Sequence, residues 1–189
     1  PTSLYTKQPT VYYGLMYLAK NAKKEVKIHT PYIICNDYMY NELKNIKVPT
    51  TIMTNSAENN GNIFGAVDYL NHKKDIINTG VTIKEYEGGI SYHGKSMTID
   101  DDIAIVGSFN MDMRSAYIDT ELMLVINSKD INKQLKASME EYEKKAATVK
   151  NETEYSHIPE GMKMKELSDK KKNIKAWFGW AMNGLRFLF

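Results

Sequence analysis

Residues 92–121 read YHGKSMTIDDDIAIVGSFNMDMRSAYIDTE and contain the densest group of chemically reactive side chains in the chain. Within this stretch, residues 95–100 and 103–108 are β-prone, and a short acidic turn separates them. Two short β-prone runs on either side of a polar turn are typical of a β-hairpin. The stretch therefore predicts a hairpin that carries several functional groups.

Side chains two residues apart on a strand share a face, so the polar groups of this hairpin are expected to line one wall. His93 is expected beside Lys95, provided that the strand begins before His93. Ser108 is expected beside Asn110 in the same way. Gly107, which has no side chain, lets another group approach the backbone closely. The predicted wall thus offers an imidazole, an ammonium group, a hydroxyl and a carboxamide.

This combination of groups suits chemistry at an anionic centre. An imidazole acts as nucleophile, acid or base near neutral pH, and an ammonium group binds phosphate. A hydroxyl and a carboxamide donate hydrogen bonds to anionic oxygens whose charge grows during phosphoryl transfer. We predict that Glu121 orients an imidazole in one tautomer. Asp100 has the opposite strand parity to His93 and is expected to point away from the wall.

The spacing of these residues resembles the HKD signature of the phospholipase D superfamily at every position: His93-x-Lys95-x4-Asp100-x6-Gly107-Ser108-x-Asn110. Arg114, Ser115 and Glu121 also fit the way in which that signature usually continues. The segment Thr30-Pro31-Tyr32 resembles the start of the second lobe of bacterial cardiolipin-synthase-like enzymes. The resemblance is therefore to the C-terminal lobe of such an enzyme.

This resemblance implies an active site made of two halves. In the family, two such motifs face each other across a pseudo-two-fold axis. One histidine attacks phosphorus to form a phosphohistidine, and the other protonates the leaving alcohol and then activates the acceptor. The resemblance also implies that Lys95 and Asn110 hold phosphate oxygens, that Asp100 is structural, and that no metal or other cofactor takes part.

This chain contains a single copy of the motif. It is therefore expected to supply one half of the site. The other half comes either from a second lobe in the same parent chain or from a second copy in a homodimer. In the first case the resemblance makes His93 the general acid and base.

The composition of the chain is that of one folded domain with an ordinary soluble surface. Its 189 residues are 42% hydrophobic, which is enough to bury a single core. The net charge of +2, from 25 basic and 23 acidic residues, is too small to indicate a polyanionic partner. Cys35, the single cysteine, excludes an internal disulfide and is expected to be buried. No secretory signal is visible, and because the chain starts at Pro1 we expect a domain excised from something longer.

Helical and strand patterns alternate along most of the chain. They predict helices over residues 9–22, 37–45, 63–77 and 129–147, and strands over residues 26–30, 50–54, 81–87 and 121–126. The continuous apolar run at 121–126 is typical of a buried central strand. Such alternation predicts an α/β fold with a mixed, largely parallel β-sheet sandwiched between helices.

Several other polar residues favour structural or surface roles. His29 is expected to be a hydrogen-bonded core residue, and His72 is expected to face solvent from its helix. Glu85 and Glu87 are expected to be exposed. The polar loop at residues 55–62 follows a strand, where substrate-contacting loops are common.

The tail differs from the rest of the chain, so we divide the sequence into a lobe at 1–160 and a basic amphipathic segment at 161–189. The tail has seven basic and two acidic residues. Its apolar residues fall at helical spacing: Ile174, Trp177, Phe178, Ala181, Met182, Leu185 and Leu188, widened by Trp180 and Phe187. This pattern predicts a C-terminal amphipathic helix that binds an anionic membrane surface through residues 170–189. The alternative is that the stripe docks on the domain or on another lobe.

Three functions from different classes compete. The first is a membrane-associated phosphatidyltransferase or phospholipase, on the cytoplasmic face of a bacterial membrane, that takes a phospholipid and an alcohol acceptor. The second is a homodimeric, metal-independent endonuclease. Nucleic acid is less favoured, because residues 1–150 show no strongly basic groove and no aromatic stacking set accompanies the motif. The third is a non-catalytic scaffold, against which the complete motif argues.

Overall fold

The computed structural model describes residues 8–181 and Arg186, with side chains for residues 8–176 and Arg186. Its helices are α1 (Thr10–Lys20), α2 (Asp37–Lys44), α3 (Ile63–Ile77), α4 (Met113–Tyr117), α5 (Lys129–Glu143) and α6 (Asp169–Ala181). Its strands are β1 (Val26–His29), β2 (Ile33–Ile34), β3 (Thr50–Asn55), β4 (Thr82–Tyr86), β5 (Ser96–Ile99), β6 (Ile103–Gly107), β7 (Met111–Asp112), β8 (Met123–Asn127), β9 (Ala146–Val149) and β10 (Tyr155–His157).

The main sheet is mixed and has the strand order β10-β9-β4-β3-β1-β5-β6-β8. The central strands β1, β3 and β4 pair in parallel, and the strands that flank them pair antiparallel. A separate pair, β2 and β7, is also parallel. Helices pack on both faces of the main sheet, so the predicted mixed α/β sandwich is confirmed.

The two faces of the sheet differ in chemistry. Because successive side chains of a strand point to opposite faces, Ile28 and His29 of β1 enter different environments. Ile28 joins an apolar core that also holds Leu15 of α1 and Met97 of β5. His29 faces α5, where its ring meets the carboxylate of Glu143. The apolar face supplies most of the core, and the polar face leads to the end of the sheet where His93 lies.

The predicted hairpin is confirmed as β5 and β6, which pair antiparallel from Ser96 opposite Val106 to Ile99 opposite Ile103. Asp100 begins the turn with a φ of 51°, a left-handed conformation that Asp tolerates better than most residues. Its carboxylate accepts backbone N–H groups at residues 23–25, over 2.7–3.1 Å. These hydrogen bonds keep the pKa of Asp100 below its usual value even though burial opposes the shift. Asp100 therefore points toward residues 23–25 and away from His93, as expected, although the strand that would relate the two by parity does not extend to His93.

The prediction of a buried central strand at residues 121–126 is wrong. The strand is β8, which starts at Met123 and has β6 as its neighbour at the end of the sheet. Leu124 and Val125 are 58% and 46% exposed, and Leu122, just before the strand, is 78% exposed. An apolar run is the same in a buried strand and in an edge strand whose face is uncovered, so the pattern alone does not separate the two.

The predicted helix at residues 129–147 is too long. α5 ends at Glu143, and Ala146 and Ala147 begin β9, which pairs antiparallel with β4. Both alanines are buried. Alanine favours helices, but here pairing with β4 holds the two buried alanines in an extended backbone. Tertiary context therefore overrides helix propensity.

The expectation that Glu85 and Glu87 are exposed is also wrong. Glu85 is buried, and Lys73 Nζ lies 2.7 Å from its Oε1. The hydroxyl of Tyr69 donates to the same oxygen over 2.6 Å. Glu87 is buried and accepts a hydrogen bond from Ser56. The charge of these residues misled the prediction, because each carboxylate has a cationic partner, Lys73 of α3 for Glu85 and Lys165 at 3.3 Å for Glu87.

Two further residues have different outcomes. Cys35 is buried as predicted, and burial raises the pKa of its thiol well above the usual value. His72 was expected to face solvent but is half-buried. Its Nδ1 lies 3.0 Å from Asp75 Oδ2, and its Nε2 lies 3.9 Å from Asp68 Oδ1.

The predicted C-terminal helix is present as α6, which packs against α3. The side chains of the aromatic stripe from Trp177 onward lie outside the described residues. Within residues 8–181, no helix combines the length and the apolar character that crossing a membrane requires.

Candidate active site

His93 and Lys95 lie in the loop that delivers the chain to β5. The prediction that the strand begins before His93 is wrong, because β5 starts at Ser96. The two side chains still meet: Lys95 Nζ is 2.9 Å from His93 Nδ1 and donates to the His93 carbonyl oxygen over 2.9 Å. The loop therefore folds back on itself and achieves the contact that strand alternation was expected to make.

This contact shifts the protonation of both groups. Burial and the neighbouring charge of Lys95 lower the pKa of His93 below its ordinary value. Burial lowers the pKa of Lys95 too, while the carboxylates of Glu121 and Asp112 act in the opposite direction. His93 is exposed, so its ring is accessible. Because its pKa is lowered, the ring is mainly neutral at neutral pH.

Ser108 ties the end of β6 to the start of β8. Its hydroxyl donates to Glu121 Oε2, and its backbone N–H donates to the Leu122 carbonyl oxygen over 3.0 Å. Gly107 permits this approach, since a Cβ there would lie 2.1 Å from the same carbonyl oxygen. The predicted close backbone approach at Gly107 is confirmed. The carboxylate of Glu121 thus binds Ser108 in this chain rather than the imidazole of His93.

Asn110 has unused hydrogen-bonding capacity. Its Nδ2 makes one long hydrogen bond, 3.4 Å, to Ser115 Oγ. Its Oδ1 is buried and has no hydrogen-bond partner among the described residues. Behind it, Asp112 caps α4 by accepting the Ser115 backbone N–H over 2.5 Å, and burial raises the pKa of Asp112 to about 6. Asn110 is therefore held by Ser115 of α4, and its carboxamide oxygen is buried without a donor from the described part of the chain.

A buried histidine supports the loop from the α5 side. His29, 1% exposed, places Nε2 3.2 Å from Glu143 Oε1 and Nδ1 3.3 Å from the hydroxyl of Tyr92. Burial lowers the pKa of His29, although Glu143 opposes that shift. Burial alone would raise the pKa of Glu143, but hydrogen bonds from His29 and Lys84 lower it to about 2. The expectation that His29 is a hydrogen-bonded core residue is confirmed.

The loop at residues 55–62 has a role that the sequence did not reveal. It was expected to be a place for substrate contact, but most of it is buried. Asn55 accepts the Tyr92 backbone N–H over 2.7 Å and donates to the Tyr92 carbonyl oxygen over 2.9 Å. The one available signal was its run of asparagines, which have both a donor and an acceptor and so suit the clamping of a backbone.

A cavity of about 640 Å³ opens beside His93 and Lys95. Tyr86, Tyr92 and Tyr142 line it in edge-to-face arrangements, with the rings of Tyr92 and Tyr142 4.8 Å apart. The sequence showed no aromatic set beside the motif, and that interpretation is wrong, since these rings come from β4, from the loop and from α5. The site therefore combines a cationic mouth with an aromatic wall.

No metal centre is evident in the described part of the chain, where no group of three or more His, Cys, Asp or Glu side chains is arranged to hold an ion. Among the predicted polar groups, the imidazole of His93 meets the ammonium group of Lys95, the hydroxyl of Ser108 meets Glu121, and the carboxamide of Asn110 meets Ser115. Such a set binds and protonates anionic oxygens. It fits a site at which a phosphate group reacts.

Comparison with known proteins supports this interpretation. Residues 15–142 match the family described as "Cardiolipin synthase, PLD-like domain". Cardiolipin synthase 1 of Staphylococcus epidermidis is 31% identical over 157 residues, which are 82% of this chain and 31% of that protein. Cardiolipin synthase of Staphylococcus aureus strain N315 is 32% identical over 127 residues, which are 66% of this chain and 25% of that protein.

Solved structures show the same fold at low sequence identity. Phosphatidylserine synthase from Haemophilus influenzae aligns with a TM-score of 0.67 and 16% identity, over 93% of this chain and 44% of that one. Nuc, a phospholipase D family member from Salmonella typhimurium, aligns with a TM-score of 0.60 and 15% identity, over 74% of this chain and 90% of that one.

The fold and the family match together define a phospholipase D-like lobe. The chain belongs to the family of cardiolipin synthase phospholipase D-like domains. It spans less than a third of the length of these cardiolipin synthase relatives.

Proposed function

We propose that this chain supplies one half of an active site that transfers or hydrolyses phosphatidyl groups of phospholipids through a phosphohistidine. The contact that carries this proposal is the 2.9 Å approach of Lys95 Nζ to His93 Nδ1, beside the tyrosine-lined cavity. An imidazole next to a fixed cation suits a substrate that is itself an anion.

The chemistry proceeds in two displacements. In the first, a histidine nitrogen forms a bond to phosphorus as the bond from phosphorus to the leaving alcohol breaks, and a second histidine gives that alcohol a proton. In the second, the second histidine takes the proton of the acceptor, and the new phosphorus–oxygen bond forms as the phosphorus–nitrogen bond breaks. His93 is the proton carrier in this proposal, and the histidine of the opposing half is the nucleophile.

The lowered pKa of His93 fits this role once a substrate is bound. Without an anion, burial and Lys95 keep the ring mainly neutral. A bound phosphate places negative charge beside both groups and raises the pKa of His93 toward neutral pH, where the ring both gives and takes a proton. Lys95 and the free N–H of Asn110 hold the phosphate oxygens as charge develops.

An opposing half is expected to cover β8. Leu122, Leu124 and Val125 are exposed directly beside the contact of Ser108 with Glu121. An uncovered apolar edge strand is a place where another chain or lobe binds. The carboxylate of Glu121 lies at this edge, where it is placed to orient the histidine of that second lobe. The partner is a second lobe of the parent chain or a second copy of this chain.

Membrane association is part of the proposal and depends on the tail. Lys171 is buried, and Arg186 pairs with Asp68, so these two cations are already engaged within the domain. Lys170, Lys172 and Lys175 are exposed and remain available to an anionic bilayer. Each such cation contributes roughly 1 kcal/mol near an anionic surface.

The direct test uses the natural protein with vesicles of phosphatidylglycerol in the presence of a chelator. We expect transfer or hydrolysis of phosphatidyl groups, with its complete loss in His93→Ala and its retention in His157→Ala, an exposed histidine on β10. A phosphatidyl group labelled at phosphorus should also remain on the protein after denaturation in neutral detergent, and acid should release it, because the phosphorus–nitrogen bond of a phosphohistidine is labile in acid. Full activity in His93→Ala would exclude His93 from the chemistry.

The second candidate function is a homodimeric endonuclease, and the tyrosine-lined cavity favours it, since bases stack on aromatic rings. It predicts cleavage of single-stranded DNA in a chelator by a protein that sediments as a dimer. In that case Tyr142→Ala should weaken DNA binding, whereas phosphatidylglycerol should be left intact.

A further inference from the structure

The C-terminal segment inserts one lysine into the domain. Lys171, on the first turn of α6, is 7% exposed. Its Nζ donates to three backbone carbonyl oxygens, those of Ala57 at 2.8 Å, Glu58 at 2.6 Å and Asn60 at 3.0 Å. An ammonium group has three N–H donors, so these three acceptors use all of them. Lys171 thus binds the backbone of the loop at residues 55–62, which we call the asparagine loop.

The asparagine loop in turn holds the segment that leads to His93. Asn59 accepts the backbone N–H of Gly89 and donates to the carbonyl oxygen of Ile90, each over 3.1 Å. The backbone N–H of Gly61 donates to Ser91 Oγ over 3.0 Å. With the clamp of Asn55 on Tyr92, every residue of the segment 89–92, which we call the approach segment, is bonded to the loop.

Internal hydrogen bonds also stiffen the loop between these two contacts. Asn59 donates to Asn55 Oδ1 over 3.0 Å, so the two side chains that grip the approach segment are bonded to each other. On the other side, the backbone N–H of Ser168 donates to Glu58 Oε2 over 2.9 Å. A continuous path of hydrogen bonds therefore runs from α6 through the loop to the residue before His93.

The family match ends at residue 142, so α6 lies beyond the part of the chain that defines the family. Lys171 is the middle residue of a run of three lysines, residues 170–172. Lys170 and Lys172 are exposed, and Lys171 alone of this run is buried. The charge of the run alone does not explain this difference, since all three side chains are identical.

We propose that Lys171 is a positioning residue for the His93 site, acting through the asparagine loop and the approach segment. This inference rests on the proposed function only for its kinetic readout. Without the ammonium group, three buried carbonyl oxygens lose their donor, and each such loss is costly. The loop then relaxes, the approach segment loses its fixed position, and His93 is no longer held at the distance that reaction requires.

The experiment compares Lys171→Met with Lys150→Met in the natural protein. The two substitutions remove the same charge, and Lys150 is an exposed residue between β9 and β10 with one ion pair, to Glu154 at 2.9 Å. We expect Lys171→Met to lower kcat roughly ten- to a hundredfold with little change in KM, because a small misplacement near the reacting atoms has an effect of that order. Lys150→Met should match the wild type in kcat. Equal kcat values in the two variants would overturn the proposal.

Hydrogen exchange gives a readout that needs no activity. Backbone amides of Gly89 and Tyr92 should exchange faster in Lys171→Met than in Lys150→Met, while the amides of β1 and β3 remain protected. If the wild type transfers no phosphatidyl group but this exchange difference is present, the proposed function fails and the coupling stands. If activity is present and the exchange is unchanged, the coupling fails and the function stands.

Two more variants keep the test decisive if Lys171→Met does not fold. Glu58→Gln removes a charge 3.8 Å from Lys171 Nζ but keeps the carbonyl acceptor, so a smaller loss in the same direction is expected. Asn59→Ala breaks the path at its middle. Combined with Glu58→Gln, it should show non-additive effects on kcat, because residues on one path act together. Additive effects would mean that the tail and the loop act separately.

Discussion

His93 and His29 are close in the structure but differ in almost every physical respect. His93 is exposed, lies beside the cation of Lys95 and has no carboxylate partner among the described residues. His29 is buried, and both of its ring nitrogens have partners, Glu143 and Tyr92. The first arrangement leaves hydrogen-bonding capacity for a ligand, and the second uses all of it. The comparison teaches that the state of the partners, rather than the residue type, separates a reactive histidine from a supporting one.

The largest expected effect is on kcat, and it comes from Lys95, the cation beside the reactive histidine, His93. Lys95→Met removes the cation that faces the bound phosphate, and we expect kcat to fall about a hundred- to a thousandfold, as when one stabilising donor is removed from an active site. The melting temperature should change little, because Lys95 is only half-buried and its hydrogen bonds are with His93, two residues away. Steady-state kinetics with phosphatidylglycerol vesicles, together with a thermal melt, checks both statements. A large loss of stability would place Lys95 with the supporting residues instead.

On the supporting side, His29→Leu should act mainly on stability. It removes one hydrogen-bond donor of the Glu143 carboxylate, which keeps its partner Lys84 at 2.5 Å. The loss of a hydrogen bond to a charged group costs about 1.5 to 3 kcal/mol. The free energy of unfolding from urea titration measures this effect, with His157→Leu as a surface control. A wild-type free energy of unfolding in His29→Leu would show that the contacts of His29 with Glu143 and Tyr92 contribute little.

The pH dependence of stability should come from Glu143, the carboxylate that binds the supporting histidine, His29. The pKa of Glu143 is about 2 in the folded chain and near 4.5 in the unfolded chain, so the unfolded state takes up a proton first as the pH falls. The contribution of Glu143, roughly 3 kcal/mol, is therefore complete above about pH 4.5 and is lost as the pH falls toward 2. In urea titrations over this pH range, the free energy of unfolding of Glu143→Gln should fall less steeply with falling pH than that of the wild type. An unchanged slope would remove Glu143 as its source.

The smallest effect is expected at an exposed pair near the site. Arg114 Nε lies 3.1 Å from Asp119 Oδ2, and the two side chains are 54% and 38% exposed. Arg114→Ala should lower the free energy of unfolding by about 0.5 kcal/mol, the usual value for a surface ion pair. A much larger loss of activity than of stability would show that Arg114 contacts the substrate.

Much of the fold and some of the site could be predicted from the sequence. The hairpin of β5 and β6, the direction of the Asp100 side chain away from His93 and the close approach at Gly107 follow from local spacing, which acts over a few residues. Residues 121–126 and 144–147 were misassigned because an edge strand and a short buried strand depend on which neighbours are present. Glu85 and Glu87 were misplaced because charged side chains become buried when distant partners such as Lys73 neutralise them.

The sequence by itself determined the residue set: a histidine, a lysine, a serine and an asparagine at spacings that one hairpin brings to one end of a sheet. Tertiary structure alone decided how that set is held. Asn55 and Asn59 reach the approach segment across 37 and 31 residues of chain, and Lys171 reaches the asparagine loop across 111 to 114. No local pattern marks such pairs. The physical reason is that hydrogen bonds to a backbone depend on where that backbone lies in space, which residue type and spacing do not specify.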